Sequence, residues 1–525
     1  MATMRETLDD FLAKLRVDVP TLHSLAKKFS STYTFLAAQA QDQFLPTPIS
    51  DSVLRSSGEA KGSGGTNLRV GFIELLGNKP ERAKNGSLVT GLSVEDGSRV
   101  VRHLEKSWPI GEQLKQDKAE DLFEWIGKCI AEVVRDGCKK WRGEMQGTIP
   151  LGVTFSFPMV QHTLSDATLM AMGKGFAITS KLDLGKQLWL GYESARSPKL
   201  PDIEMTAIAN DTVSTLISFT YQYGGNPRHR PAMGLIVGTG CNATIPMALH
   251  KLHSSKRPTK VKVLDGSEEG KDLKIAVNTE WTIKGAAGPL HELGLITSWD
   301  DILSGECEIP GFQPFEFMTA GRYLGELGRI IILDYFTTHL QIPTSHLPPA
   351  LTQRHGLTTS FLGNLGPHLA KKKNEPSMVK QLQAELPPPG LSWGWTEETA
   401  AIVYAIAKAV EIRASGLAAA AIIGLLSCAD EIHLSSPLGE VANGNGSSEF
   451  KTPDVDELLV GYTGGCIVHF QDYLEDCQDF LDEIMTAEFG DEDGVPRVVL
   501  QPCHDGGIIG AGILAGTVQN ATHDA

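Results

Sequence analysis

The stretch from Met205 to Thr244 constrains the chain more than any other, because it sets two apolar strands, two sharp turns and a carboxylate close together. It opens with MTAIANDTVSTLISFTY, which reads as a short strand from Ala207 to Asn210 that ends in Asp211 and passes straight into an amphipathic helix. It closes with MGLIVGTGCNATI, a second apolar strand that breaks into a turn at Gly238, Thr239 and Gly240. A carboxylate at a strand end faces a cleft, and a glycine turn after a buried strand lets backbone N–H groups converge on a phosphate. The pair points to phosphoryl transfer to a hydroxyl.

A chain of 525 residues is too long for one compact core, and two packed α/β lobes are expected, with 41% hydrophobic residues to build them. Sixty-three acidic against 47 basic residues, a net charge of -16, argue against nucleic acid or anionic lipid as the main partner. Cys129, Cys138, Cys241, Cys307, Cys428, Cys466, Cys477 and Cys503 are scattered without a CxxC pair. They indicate neither a zinc site nor a disulfide framework, and fit a reducing, cytoplasmic setting in which a nuclear or organelle-associated pool is allowed. The first twenty residues are amphipathic and carry acids from the start, which reads as a structural helix rather than a targeting peptide. The most apolar run, Ala414 to Cys428, is shorter than the roughly 18 residues of a membrane span and reads as a buried helix.

Along the chain, residues 4–40 read as two helices, Leu68 to Leu76 as a buried strand and Ser87 to His103 as hairpin strands. Ala119 to Arg135 has helical spacing, with Leu122, Phe123, Ile126, Ile130 and Val133 on one face, and a strand runs from Leu151 to Phe157. Lys251 to Lys274 reads as an exposed excursion, followed by a strand from Lys274 to Thr279. Helices are expected at Gln313 to Phe336 and Glu397 to Ser427, with surface segments at Gly366 to Pro389 and Glu440 to Asp454. Two strand-turn units, LLVGYTGG and VVLQPCHDGG, close the sequence.

These blocks resemble those of the hexokinases, in the same order: GGTNLRV at 64–70, TFSFP at 154–158, KGF at 174–176, ANDTV at 209–213, GTGCNA at 238–243, NTEW at 278–281 and PGFQPFE at 310–316. The resemblance covers nearly the whole chain. It implies an α/β fold of the two-lobed hexokinase and actin-like ATPase type, with a sugar cleft between a small and a large domain. Residues 1–225 would form the N-terminal region and 226–525 the C-terminal region.

By the same resemblance Asp211 takes the proton from a sugar 6-hydroxyl, and Lys174 is the second catalytic residue. A carboxylate suits that role because it accepts the proton only as the attacking oxygen bonds to phosphorus. The alternative for Asp211 is a plain cap on the helix that follows. Ser156, Phe157, Lys174, Asn210, Asp211, Asn242, Glu280 and Glu316 are implied around the hexose. Gly64, Gly65, Thr66, Asn67, Arg69, Gly238, Thr239, Gly240, Gly464 and Gly506 are implied around ATP with Mg²⁺.

The sequence departs from the family pattern in three places. Gly173 stands where the family has Thr before the lysine of KGF, which removes a sugar contact. The polar run SSGEAKGS stands where the family has an apolar strand and a magnesium-holding aspartate before GGTN, which implies a short deletion between Lys61 and Gly64. At the adenosine-side turns, Tyr462-Thr463-Gly464-Gly465 and His504-Asp505-Gly506-Gly507, glycines are partly kept while hydrogen-bonding Asp and Ser side chains are not. Two readings stand: an ATP-dependent hexose kinase weakened on its nucleotide side, and a catalytically inactive hexokinase-like sugar sensor with a regulatory protein partner. A chaperone-like ATPase would need the reverse asymmetry.

Overall fold

The computed structural model describes residues 2–55, 68–76, 100–111, 114, 119–141, 145, 147–170, 181–263, 273–366, 377–390, 392–435, 455–490 and 492–523. Helices α1 (Ala2–Leu12) and α2 (Val19–Gln39) lead into strand β1 (Leu45–Ser50). The strands β2 (Leu68–Leu75) and β3 (Val100–Trp108) follow, then helix α3 (Ala119–Lys140), strand β4 (Ile149–Thr154), helix α4 (Leu184–Ala195) and strand β5 (Ile203–Ala209). Helix α5 (Asp211–Tyr223) precedes strands β6 (His229–Val237), β7 (Cys241–Ala248) and β8 (Lys274–Asn278). Among the helices that come next are α6 (Pro314–Thr319), α7 (Gly321–Thr338) and α8 (Glu397–Cys428). Strand β9 (Glu457–Thr463), helix α9 (Tyr473–Phe489), strand β10 (Arg497–Pro502) and helix α10 (Gly506–His523) complete the order.

Six strands form one sheet in the order β1-β8-β7-β6-β9-β10. Within it β6, β9 and β10 run parallel, while the β1, β8, β7 side is antiparallel. In the smaller lobe β2 pairs antiparallel with β3, and β4 pairs parallel with β5. Among the described residues no strand joins those two pairs. The sequence-derived deletion before Gly64 falls on residues outside the described ones.

The two halves of the sequence are not the two halves of the fold in space. Leu22, Phe29 and Tyr33 of α2 share one core with Leu417 and Ile423 of α8, so the N-terminal helices belong to the large lobe. In return Ile509 and Ile513 of α10 share a core with Ile73 and Leu75 of β2 and Ala207 of β5. The chain thus crosses between lobes at both ends, and both crossings are held by buried apolar area.

Helix α8 is the central support of the large lobe. It starts on a capping box, in which Thr396 and Thr399 satisfy each other's backbone N–H. Its most apolar 18 residues have a mean hydropathy of 1.7, enough by length and composition for a membrane span, and 89% of that window is buried inside the protein. The expected run from Ala414 is therefore the second half of a longer helix. Gly424 explains how α2 packs on it: a Cβ there would lie 2.7 Å from Phe29 Cβ and 2.8 Å from the Ala26 carbonyl. Arg413, also on α8, donates from both Nη atoms to the two oxygens of Asp300 at 2.8 Å, and all of these groups are buried. Burial alone would raise the Asp300 carboxyl, but the Arg413 charge beside it holds it below the usual range.

Three expectations need correction. Helix α5 is not amphipathic, since every residue from Thr212 to Tyr221 is buried between α10 and the sheet. The strand expected to Phe157 ends at Thr154, because Phe157 N–H turns back to the Phe155 carbonyl at 2.8 Å. The helices expected from Gln313 to Phe336 are two, with an extended Ala320 between them. The surface segment from Gly366 contains a helix, Met378–Glu385, anchored by buried Leu382. The expected strand residues 87–99 and the loop 440–454 lie outside the described residues.

Glu488 at the end of α9 ties the N-terminal helices to the large lobe. It accepts from Lys27 at 2.9 Å, from His23 at 2.5 Å and from the Ser435 N–H. Burial pushes its carboxyl up, but the Ser435, Lys27 and His23 donors outweigh this and hold it down, to about 2. Because its folded value lies below the unfolded value of about 4.3, its contribution is fully present above that pH and is lost as pH falls towards 2. Glu488→Gln should therefore lower the thermal midpoint near neutral pH, and the gap to the unmodified chain should close as the pH of the melt is lowered through that window.

Candidate functional site

Because β6, β9 and β10 run parallel, their carboxyl ends and the turns that follow lie along one edge of the sheet, where open α/β sheets bind ligands. Those turns are Gly238-Thr239-Gly240, Gly464-Gly465 and His504-Asp505-Gly506. The first closes on itself through Gly238 N–H and the Gly240 carbonyl at 2.9 Å. The break at Ala320 lets α7 start against it, and the N–H groups of Gly321 and Arg322 donate to the carbonyls of Gly238 (2.8 Å) and Thr239 (3.2 Å). Two N–H groups at a helix start are satisfied this way, and the turn is pinned from behind while Thr239 stays exposed.

Gly464 braces the same turn from the side. Its φ is +121°, and a Cβ there would come within 2.3 Å of the Val237 carbonyl. Gly506 has a different function from the expected open approach to a nucleotide. It is buried, and a Cβ would lie 2.9 Å from Thr215 Cα, so it lets α10 close on α5.

A continuous polar seam runs from the start of α5 into the large sheet. Asn210 caps α5, accepting from Thr212 N–H at 2.9 Å and from Thr212 Oγ1 at 2.7 Å, while its Nδ2 donates to the Phe157 carbonyl at 3.3 Å. Thr212 Oγ1 also lies 2.7 Å from Thr244 Oγ1 on β7. Asn278 at the end of β8 accepts from Asn242 Nδ2 at 2.8 Å and donates to Glu280 Oε1 at 2.8 Å, and Asn242 reaches the same oxygen at 3.2 Å. The Glu280 carboxylate is thus aimed by two amides. Its backbone is left-handed, with φ +46°, a conformation that costs a non-glycine residue on the order of 1–3 kcal/mol and persists where the surroundings impose it. Gln43 is one such surrounding group, donating to the Glu280 carbonyl at 2.9 Å.

Asp211 is the first residue of α5, and its Oδ1 accepts from Thr212 N–H at 3.0 Å. Glu316 on α6 is buried and accepts from Thr282 Oγ1 at 3.2 Å and Gln313 Nε2 at 3.5 Å. The structure brings Phe157, Asn210, Asp211, Asn242 and Glu280 onto one seam and sets Glu316 against Thr282, two residues beyond Glu280. Ser156 lies next to Phe157 in the turn after β4. Lys174, Gly64, Gly65, Thr66 and Asn67 lie outside the described residues.

Arg69 is committed elsewhere than expected. It donates from Nη1 to Asp505 Oδ1 at 2.5 Å, and Arg102 on β3 donates to Asp505 Oδ2 at 2.7 Å. Burial would raise the Asp505 carboxyl, but the Arg69 hydrogen bond and the two arginine charges hold it below the usual carboxylate range. Thr212, Thr244, Asn278, Thr282, Gln313 and Gln43 were not legible as site residues. Asn278 and Gln313 sat inside recognised blocks, whereas Gln43 carried no local signal, because only the β1–β8 pairing brings it to Glu280.

Comparison with known proteins identifies the family of the chain and the fold. Two family models, both described as Hexokinase, match residues 7–221 and 232–517. Hexokinase-9 of Oryza sativa subsp. japonica is 26% identical over 459 residues, covering 86% of this chain and 76% of that protein. Hexokinase-2 of Rattus norvegicus is 31% identical over 303 residues, which are 58% of this chain and only 28% of that protein. Among solved structures, a hexokinase from Schistosoma mansoni complexed with glucose superposes with a TM-score of 0.71 at 24% identity, over 98% of each chain.

The seam makes a sharp prediction for Thr212. Thr212→Val keeps the shape and removes the hydroxyl, leaving buried Asn210 and Thr244 short of a partner, at a cost of about 1–3 kcal/mol. Chemical denaturation should register that loss, whereas Thr212→Ser should restore most of it.

Proposed function

Since the chain belongs to the hexokinase family, whose members are sugar phosphotransferases, we propose that it binds a hexose at the seam between its lobes and phosphorylates the 6-hydroxyl from ATP. The observation that supports this reading best is the fixed carboxylate of Glu280, held by Asn242 and Asn278, on the same seam as Asn210 and Asp211. A sugar ring needs acceptors and two-way amides at set positions, and a site of buried polar groups discriminates strongly against analogues that lack a hydroxyl. The hexokinase complexed with glucose that shares this fold favours glucose as the first ligand to test.

In this reading Asp211 accepts the hydroxyl proton as the new O–P bond forms, so that charge does not build up on the attacking oxygen. Asn210, Asn242, Glu280 and Glu316, with Ser156, Phe157 and Lys174, hold the ring. The Gly238–Gly240 turn and the Thr239 hydroxyl meet the terminal phosphate, and Gly464 keeps that turn in place. Mg²⁺ would come with ATP and be held chiefly by the phosphate oxygens, with one or two protein carboxylates beside them. Among the described residues no group of three His, Cys, Asp or Glu side chains is placed to hold a metal unaided.

The second reading, a sugar-binding regulator without catalysis, is favoured by one observation, that Arg69 is tied to Asp505. The eight cysteines are all free, which supports a reducing compartment for either reading.

Glucose at millimolar concentration should raise the thermal midpoint, and Glu280→Ala should weaken its binding by about tenfold or more, the cost of a hydrogen bond to a charged group. Absence of any shift with glucose, mannose and fructose would overturn the sugar site. In a coupled ATP assay Asp211→Ala should lower the rate by about 10²- to 10⁴-fold with glucose still bound. An unchanged rate would remove Asp211 as the base. An inactive parent chain that still binds glucose would establish the regulator.

A further inference from the structure

The turn after β10 carries an anion between two arginines that start from different places. Arg69 is on β2 and Arg102 on β3, and in the ladder Arg102 lies opposite Ile73 while Arg69 lies opposite Ser107. Their guanidinium groups nevertheless converge on one carboxylate, each on its own oxygen, at 2.5 and 2.7 Å. Arg102 has one further contact, Glu105 at 3.4 Å. The three side chains of the cluster remain 28–41% exposed, so solvent and a ligand can reach them. Asp505 itself has a left-handed backbone, φ +54°.

Position gives this cluster its meaning. Asp505 sits in the third of three turns at the carboxyl ends of adjacent parallel strands, the first of which is the Gly238–Gly240 turn. The arginines come from the opposite lobe. A carboxylate bound by two guanidinium groups, one on each oxygen, stands where a phosphate group could meet the same donors. Partly exposed ion pairs add little to stability, so such a carboxylate exchanges readily for a stronger anion.

We propose that Arg102 acts with Arg69 as a polyphosphate-binding pair on the nucleotide side, and that Asp505 is an internal anion which a nucleoside triphosphate displaces from them. The inference rests on the nucleotide-binding reading above. It adds Arg102, which that reading does not use, and gives Asp505 an inhibitory role. While Asp505 occupies the arginines, triphosphate binding must first break two ion pairs, and nucleotide affinity is reduced by the fraction of molecules in which the pair is closed.

Calorimetric titration of the full chain, saturated with glucose, tests this with MgATP and with inorganic tripolyphosphate. Asp505→Asn should bind both about tenfold more tightly than the unmodified chain, because the competitor has lost its charge. Arg102→Gln should bind both about tenfold more weakly and with a shallower salt dependence, and Arg102→Lys should fall between. Asp505→Asn that binds no more tightly, or Arg102→Gln that binds as well as the parent, overturns the proposal and leaves the cluster as a structural tie. Equal drops in thermal midpoint with unchanged nucleotide affinity overturn it in the same way. The glucose-induced midpoint shift, measured on the same samples, separates this failure from failure of the sugar-cleft reading, since it depends on the seam and not on the arginines.

Discussion

The structure depends on one requirement: the polar groups between the lobes are buried, and every one of them needs a partner. Asn210, Thr212, Thr244 and Asn278 are all nearly inaccessible, and an unpaired group at any of them costs as much as a typical point mutation in a core. Their side chains can satisfy one another only if the start of α5, the middle of β7 and the end of β8 meet in a single arrangement. The same groups that fix the lobe junction therefore fix where Asp211 and Glu280 stand. Rigidity of the junction and precision of the site are one property here, which is how a site is held within the tolerance that positioning demands.

A second set of constraints holds the Gly238–Gly240 turn from three directions. α7 donates to it from below, Gly464 lies against it from the side, and β6 and β7 hold its two ends. The break at Ala320 is what makes the first of these possible. A continuous helix through residue 320 would have directed the Gly321 and Arg322 N–H groups to their own helix instead of to Gly238 and Thr239. Behind the turn Cys241 is buried, and burial pushes its thiol up to about 12, so it packs as a small apolar group rather than as a nucleophile.

What could be read from the sequence follows from range. β6, the turn and β7 are local: an apolar run, two glycines and a second apolar run define a hairpin without help from elsewhere. The strand into Asp211 was equally plain, and the α/β two-lobed fold followed from the ordered blocks. Helix α5 was misjudged as amphipathic because its threonines and serines, polar by composition, are buried and hydrogen-bonded, among them Thr212 to Asn210 and Thr215 to the Asp211 carbonyl. The helix break at Ala320 was invisible because no proline marks it, and its cause is a tertiary bond to Gly238. Gln43 and the Arg69–Asp505 contact were out of reach for the same reason, since their partners are far away in sequence. Residues 64–67 and Lys174, which resemblance assigned with equal ease, lie outside the described residues, so their assignment rests on the sequence alone.

The small lobe shows how a fold tolerates two strand pairs that are not joined among its described residues. β2 has both faces covered: Val70 and Phe72 pack with α3 residues such as Leu122 and Ile126, while Ile73 and Leu75 pack with Val213 of α5 and Ile509 of α10. β4 is covered as closely, since a Cβ on Gly152 would come within 2.0 Å of the Ala511 carbonyl on α10. Helix α10 thus spans the two pairs and packs against both. The Arg69 and Arg102 contacts to Asp505, just before α10, add a polar contact between the β2–β3 pair and the start of that helix. An element that holds the lobe together by packing is also the element whose first turn carries the anion between the arginines. The contacts of Arg69 and Arg102 to Asp505 therefore bear both on the turn after β10 and on the attachment of the β2–β3 pair.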